Sequence, residues 1–173
     1  LCIQKYEFYE EMAYDPELVS LFTKIKEAEQ KHLQSLNDVL NGTVAEVDTN
    51  DNSGQMYTPK ASYHQNGNKM EKEHDSFLCT DAITMEKYVS SAYNFDLFQF
   101  GNSKLRKLLN DIETEEQNHA EMLYKYKKAS YDSEFFYYYR RFFMFNFFKK
   151  FFITVFVNAN GEVCRNIYPI CSL

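Results

Sequence analysis

Apolar residues recur at steps of three and four along two long stretches of the chain, and in each stretch a glutamate and a histidine fall on the apolar stripe. The two stripes run Ile25, Glu29, His32, Leu36, Val39 and Ile112, Glu116, His119, Leu123, Tyr126. This period predicts two helices, each with a Glu-x-x-His pair one turn apart on the face that packs against the core.

The two stretches belong to an internal repeat with an offset of 87 residues. Identical residues at this offset include Tyr6 and Tyr93, Phe8 and Phe95, Leu18 and Leu105, Leu21 and Leu108, Ile25 and Ile112, Glu29 and Glu116, and His32 and His119. Each half predicts a helix, a short turn and a second helix, because turn residues separate the apolar-periodic segments. Two such hairpins predict an all-α four-helix bundle.

The predicted helices have recognisable ends. They cover residues 1–13, 16–40, 77–100 and 103–128. Asp15 followed by Pro16 is the usual order of a cap and a first helical residue, and Asn41-Gly42 is a typical helix stop. The first helix starts at Leu1 inside an apolar-periodic segment, so we expect this chain to lack its true N-terminus.

Residues 43–75 are polar and lose the helical period, so they predict a mobile crossover between the second and third helices. A connection of this length lets those two helices run parallel, as in bundles with ferritin-like topology. His64 and His74 lie in or beside this segment, and we expect both to be solvated loop residues rather than ligands.

Length and composition exclude several classes of protein. A chain of 173 residues with 45% hydrophobic residues is large enough for one core, which we assign to residues 1–130. The formal charge of −6, with no basic stripe in that range, argues against nucleic acid as a partner. Four cysteines without a C-x-x-C spacing indicate synthesis in a reducing cytosol.

The sequence changes character near Ala129, and residues 131–173 form a tail rich in phenylalanine and tyrosine. Ten of the sixteen phenylalanines lie between Phe135 and Phe156, together with Asn146 and several basic residues. These polar residues make a membrane span a poor interpretation; an amphipathic surface segment or a β-hairpin fits better. We favour translation of AT-rich DNA outside its natural reading frame, and we assign the tail no function.

Three segments in the second half of the chain resemble a known family. They are Phe77-Leu-Cys-Thr-Asp-Ala-Ile-Thr-Met-Glu-Lys-Tyr-Val-Ser-Ser-Ala-Tyr93, Asn102-Ser-Lys-Leu-Arg-Lys-Leu-Leu-Asn-Asp-Ile112 and Glu115-Glu-Gln-Asn-His-Ala-Glu121. They are similar to the spore coat protein F family, or Coat F domain, of endospore-forming Firmicutes. The resemblance covers residues 77–126 well and residues 6–42 as a more divergent hairpin.

This resemblance implies a ferritin-like bundle with a structural role in sporulation. The protein is then expected to be made in the mother-cell cytosol and to enter the spore coat. Its expected partners are other spore coat proteins and further copies of the same chain. The family resemblance implies no established enzymatic activity.

The ferritin-like resemblance also implies a metal site. Such bundles bind two iron or manganese ions through one glutamate from each of two helices and a Glu-x-x-His pair from each of the other two. The matching residues here are Glu29, His32, Glu86, Glu116 and His119. The sixth ligand falls before Leu1 by the repeat offset, and its nearest substitutes, Glu7 and Glu10, lie two or three turns further along the first helix.

Three functions therefore stand beside one another at this point. A structural spore coat component is the favoured one, and a dimetal oxidoreductase of the rubrerythrin or catalase type is its main rival. A membrane-associated assembly protein depends entirely on the tail. The Glu and His residues also have a simpler interpretation, as a buried polar layer whose members satisfy one another by hydrogen bonds.

Overall fold

The computed structural model describes residues 1–45, 51–60 and 68–131, and these contain five α-helices and no β-strand. The helices are α1 (Cys2–Met12), α2 (Pro16–Leu40), α3 (Ser53–Met56), α4 (Lys69–Asp96) and α5 (Ser103–Ser130), with a 3-10 turn at Leu97–Gln99. The all-α prediction is confirmed for the described residues.

Capping residues mark the starts of the two Glu-x-x-His helices, and a glycine turn follows the end of the first. Asp15 caps α2 by accepting a hydrogen bond from the backbone N–H of Glu17, and Asn102 caps α5 in the same way. After α2 the chain turns at Gly42, whose φ of 87° is a conformation that favours glycine. The predicted bounds of α2 are confirmed at both ends.

Three predictions about the middle of the chain need correction. α4 begins at Lys69, whereas the apolar period predicted a start near Phe77. Asn68 caps the earlier start, and the charged residues that follow are good helix formers although they show no apolar period. Part of the predicted crossover is therefore helical, since it also contains α3, and His74 lies in α4 rather than in a loop.

One core is shared by α1, α2, α4 and α5. Its buried side chains include Tyr6, Tyr9, Leu18, Leu21, Phe22, Ile25, Leu78, Ala82, Met122, Leu123 and Tyr126. Helices α4 and α5 run antiparallel, because Ser90 contacts Glu113 while Thr80 contacts Lys127. Contacts between α1 and α2 form the other hairpin, and contacts between α2 and α5 join it to the hairpin of α4 and α5. The inner faces of α2 and α5 are thereby brought together.

The short helix α3 is docked on α5 through a glycine. A Cβ on Gly54 would lie 3.0 Å from Asn118 Cα, 2.8 Å from Asn118 Oδ1 and 2.9 Å from Glu121 Oε2. Asn118 donates a hydrogen bond of 2.7 Å to Asp51, and Lys125 donates one of 2.6 Å to the carbonyl oxygen of Gly54. The segment 51–56 is therefore held on α5 by close contact and by polar contacts.

We expect Gly54→Val to loosen this segment, because the added side chain enters space already occupied by α5. Amide exchange over residues 51–57 should accelerate about tenfold, the equivalent of about 1.4 kcal/mol of overpacking. Hydrogen exchange measured by mass spectrometry checks this. Gly101→Val is the matched control, since nothing lies within 4 Å of a Cβ at that position. Equal exchange in the two variants would show that the close approach is unimportant.

Residues 1–131 form one compact unit. Residues 132–173 lie outside the described residues, as does His64, so the interpretations of the tail stay predictions. Among the helices of the described ranges, none combines the length and the hydropathy that crossing a bilayer requires.

Candidate metal centre

A layer of buried glutamates and histidines divides the core near its middle. Along α2 the layer falls between the apolar residues that end at Ile25 and those that resume at Leu36; along α5 it falls between Ile112 and Met122. Its members are Glu29, His32, Glu86, Glu116 and His119, each at most 5% exposed. The structure thus brings together all five of the residues that the sequence singled out.

One half of the layer is centred on His119. Its Nδ1 atom lies 3.6 Å from Glu29 Oε1, 3.6 Å from Glu86 Oε2 and 3.8 Å from Glu116 Oε2. One ligand atom from each of these four residues lies within 4.8 Å of the others. Tetrahedral ligands on an ion with bonds of about 2.1 Å are about 3.4 Å apart, so these side chains would have to move inward to coordinate one ion.

The other half is centred on His32 and shares two of the carboxylates. His32 Nδ1 lies 3.7 Å from Glu29 Oε1 and 3.3 Å from Glu116 Oε1. Glu29 and Glu116 therefore face both imidazoles, whose ring centroids are 5.9 Å apart. Two carboxylates that each face two histidines could be shared by two neighbouring cations.

Neither of the substitutes considered for the sixth ligand reaches the layer. Glu10 pairs with Lys26, and Glu7 is exposed on α1. The thiol of Cys2 is half-buried and feels the negative charge of the layer. Burial and the carboxylates of Glu29 and Glu116 raise its pKa to about 11. Among the described residues, three side chains offer a carboxylate oxygen or an imidazole nitrogen to the His32 half of the layer.

The inward-facing atoms of the layer make no hydrogen bond within the described part of the chain. They are Glu29 Oε1, His32 Nδ1, Glu86 Oε2, both Glu116 oxygens and His119 Nδ1. Burying a polar group without a hydrogen bond costs about 1–3 kcal/mol. These atoms face one another as ion pairs rather than as hydrogen bonds, and a cation would take the same atoms as its ligands.

Two further residues hold the layer from outside, and the sequence analysis missed both as parts of the site. The Tyr6 hydroxyl donates to Glu86 Oε1, and His32 Nε2 lies 2.7 Å from Glu115 Oε2. When Nε2–H donates to Glu115, the Nδ1 lone pair is left facing the layer, as a metal ligand requires. In the sequence, Tyr6 is recognisable only as an aromatic residue that recurs at the repeat offset. Glu115 is recognisable only as one of several acidic residues on its helix.

The layer balances its own charge with protons. Burial raises the pKa of Glu86 to about 8. Although burial lowers the pKa of an imidazole, the carboxylates of Glu115 and Glu116 raise that of His32 to about 9. Burial by itself would raise the pKa of Glu116, but His119 and His32 hold that pKa below its usual value. Protonated imidazoles thus supply positive charge that a divalent cation would otherwise bring.

Comparison with known families gives one match. Residues 74–129 match the family model described as the Coat F domain, which covers most of α4 and nearly all of α5. Three members of the layer, Glu86, Glu116 and His119, lie inside the matched range. Searches of curated proteins and of solved structures give no match. The resemblance to the spore coat protein F family is confirmed over these residues.

Proposed function

We propose, on the premise that residues 74–129 form a Coat F domain, that this protein is a structural component of the bacterial spore coat. The family match is the observation that carries the proposal. It implies synthesis in the mother cell, transfer to the coat, and other coat proteins or further copies of this chain as partners.

A fluorescent fusion of the whole chain, expressed in a sporulating endospore-former, tests this role. We expect the signal to fill the mother cell first and then to surround the spore, and the protein to be recovered with the coat fraction after extraction. The same fluorescent protein without the chain, expressed from the same promoter, is the control and should stay diffuse. A fusion that also stays diffuse would contradict a coat location.

We further propose that the domain is a ferritin-like bundle of two related hairpins. Helices α2 and α5 begin at Pro16 and Ser103, which are separated by the same 87 residues as the two Glu-x-x-His pairs. Their caps, Asp15 and Asn102, share that offset, and each accepts a hydrogen bond from the backbone N–H two residues further along the chain. Equivalent ends and equivalent inner residues support descent of both hairpins from one unit.

The polar layer supports a second function, the binding of divalent transition-metal ions. The observation that carries it is the set of buried oxygen and nitrogen atoms that face one another at 3.3–3.8 Å and have no hydrogen bond in the part of the chain that the structure describes. Carboxylate and imidazole donors suit iron and manganese. Bound there, such ions supply redox and Lewis-acid chemistry, and a peroxidase-like or catalase-like activity stays a prediction that depends on them.

Each residue of the layer has a part in holding the ions. Glu86 and His119 face one another and would hold one ion, while His32 would hold the other. Glu29 and Glu116 face both imidazoles and could contribute to both ions. Glu115, 2.7 Å from His32 Nε2, would favour the tautomer that leaves the Nδ1 lone pair facing inward.

The metal content of the purified chain, expressed with iron and manganese supplied and then dialysed, tests this second function. We expect about two ions per chain, the number that a layer of this composition holds in dimetal bundles. A folded protein without metal would contradict metal binding. The spore coat role would be unaffected by that result, since the family match carries it independently.

A further inference from the structure

We propose that Tyr6 is a positioning residue that restricts Glu86 to a single ligand oxygen and thereby limits the coordination number at the His119 half of the centre. The inference rests on the proposed metal-binding function. It assigns a role in metal specificity to a tyrosine on α1, a helix that lies outside the residues matched by the Coat F domain.

The two oxygens of Glu86 have different surroundings. Oε1 accepts the hydrogen bond from the Tyr6 hydroxyl, whereas Oε2 faces His119 Nδ1 at 3.6 Å and has no hydrogen bond among the described residues. Both side chains are at most 1% exposed, so water does not compete for either oxygen. One oxygen is thus committed to the protein and the other is left for a cation.

The Tyr6 ring cannot easily turn its hydroxyl away from Glu86. Its centroid lies 5.6 Å from that of Tyr9 in an edge-to-face arrangement and 5.8 Å from that of Phe22. The ring is fully buried in the core shared by the four longer helices. Close packing on both sides holds a side chain in one rotamer, so the hydroxyl is a fixed donor rather than an occasional one.

Glu116 gives the contrast within the same layer. Its Oε1 faces His32 and its Oε2 faces His119, and neither oxygen has a hydrogen bond to another described residue. Glu116 can therefore use both oxygens, one for each half of the centre. Of the two histidines, Glu86 faces only His119, and the Tyr6 hydroxyl occupies its other oxygen.

This difference determines which ions fit. A glutamate that binds through both oxygens raises the number of ligands and suits ions such as Ca²⁺, which take six to eight oxygens. With Glu86 held to one oxygen, the His119 half offers one nitrogen and three oxygen atoms. Four donors of this kind favour transition-metal ions that accept four or five ligands.

Co²⁺ binding to the whole chain tests the inference, because four- and five-coordinate Co²⁺ absorbs visible light more strongly than six-coordinate Co²⁺. We expect strong visible bands in the wild-type protein. In Tyr6→Phe the bands should weaken as Glu86 gains its second oxygen for the ion, and the affinity for Co²⁺ should fall at least about tenfold. Ca²⁺ should compete with Co²⁺ more effectively in this variant than in the wild type.

Tyr9→Phe is the matched control. Tyr9 is also buried on α1, and its hydroxyl also donates to a carboxylate, but that carboxylate is Asp81, outside the layer. Each variant removes one buried hydroxyl from the same core, so a general loss of stability affects both. Only Tyr6→Phe should change the spectrum.

The outcomes separate the two proposals. A wild-type protein that binds no Co²⁺ contradicts metal binding itself. A wild type that binds Co²⁺, with Tyr6→Phe identical to Tyr9→Phe in spectrum and affinity, overturns the role of Tyr6. X-ray absorption of Co²⁺ in the wild type counts the ligands without any variant; four or five are expected, and six or more would overturn the restriction even if Tyr6→Phe failed to fold.

Discussion

Glu116→Gln is expected to remove metal from both halves of the centre. Glu116 faces His32 with one oxygen and His119 with the other, so the substitution takes an anionic donor from each half at once. The amide that replaces it carries no charge and turns N–H donors toward atoms that should bind a cation. We expect the iron and manganese content, measured by mass spectrometry of the dialysed protein, to fall more than about tenfold.

Glu121→Gln provides the control for this measurement. Glu121 lies on the same helix, is half exposed and pairs with Lys125 at 2.8 Å. The loss of such a surface pair has little effect on stability and none on the layer. Equal metal content in Glu116→Gln, Glu121→Gln and the wild type would mean that any bound metal lies elsewhere.

Phe22→Ala is expected to lower the free energy of unfolding by about 3–5 kcal/mol. The Phe22 ring is fully buried, and its centroid lies 5.8 Å from that of Tyr6 and 5.2 Å from that of Tyr9. Truncation therefore leaves a cavity where α1 packs on α2, directly beside the ring that supports Glu86. Urea unfolding followed by circular dichroism measures the effect.

The same measurement on Leu40→Ala separates core packing from loss of apolar area in general. Leu40 ends α2 and is 84% exposed, so its truncation should change the free energy of unfolding by less than about 0.5 kcal/mol. Similar losses in the two variants would contradict a core built around the aromatic side chains of α1 and α2.

The helices with the strongest apolar period were predictable to their first residue. Asp15 and Asn102 are caps that act within two or three residues of themselves, so the starts of α2 and α5 depend on local sequence alone. The start of α4 was missed by eight residues, since Lys69 to Ser76 has helix-forming residues without an apolar stripe. An apolar period appears only where one face of a helix is buried, so an exposed helical turn cannot be recognised from it.

Four residues of the layer, those on α2 and α5, were predictable for a related reason, whereas Glu86 was expected from the ferritin-like resemblance. A glutamate and a histidine on an apolar stripe conflict with burial, and that conflict was visible in the sequence of α2 and of α5. Tyr6 and Glu115 carried no such conflict, because a tyrosine is ordinary in a core and a glutamate is ordinary on a helix surface. Their roles come from partners 80 and 83 positions away.

By itself the sequence determined the helical class, the starts of the two Glu-x-x-His helices and the identity of the buried glutamates and histidines. These depend on period, capping and residue chemistry, which act over a few positions. Only the tertiary structure decided which atoms meet. The crossing of four helices makes Glu116 face two histidines and gives one oxygen of Glu86 to Tyr6, and contacts between distant segments follow from packing that no local pattern records.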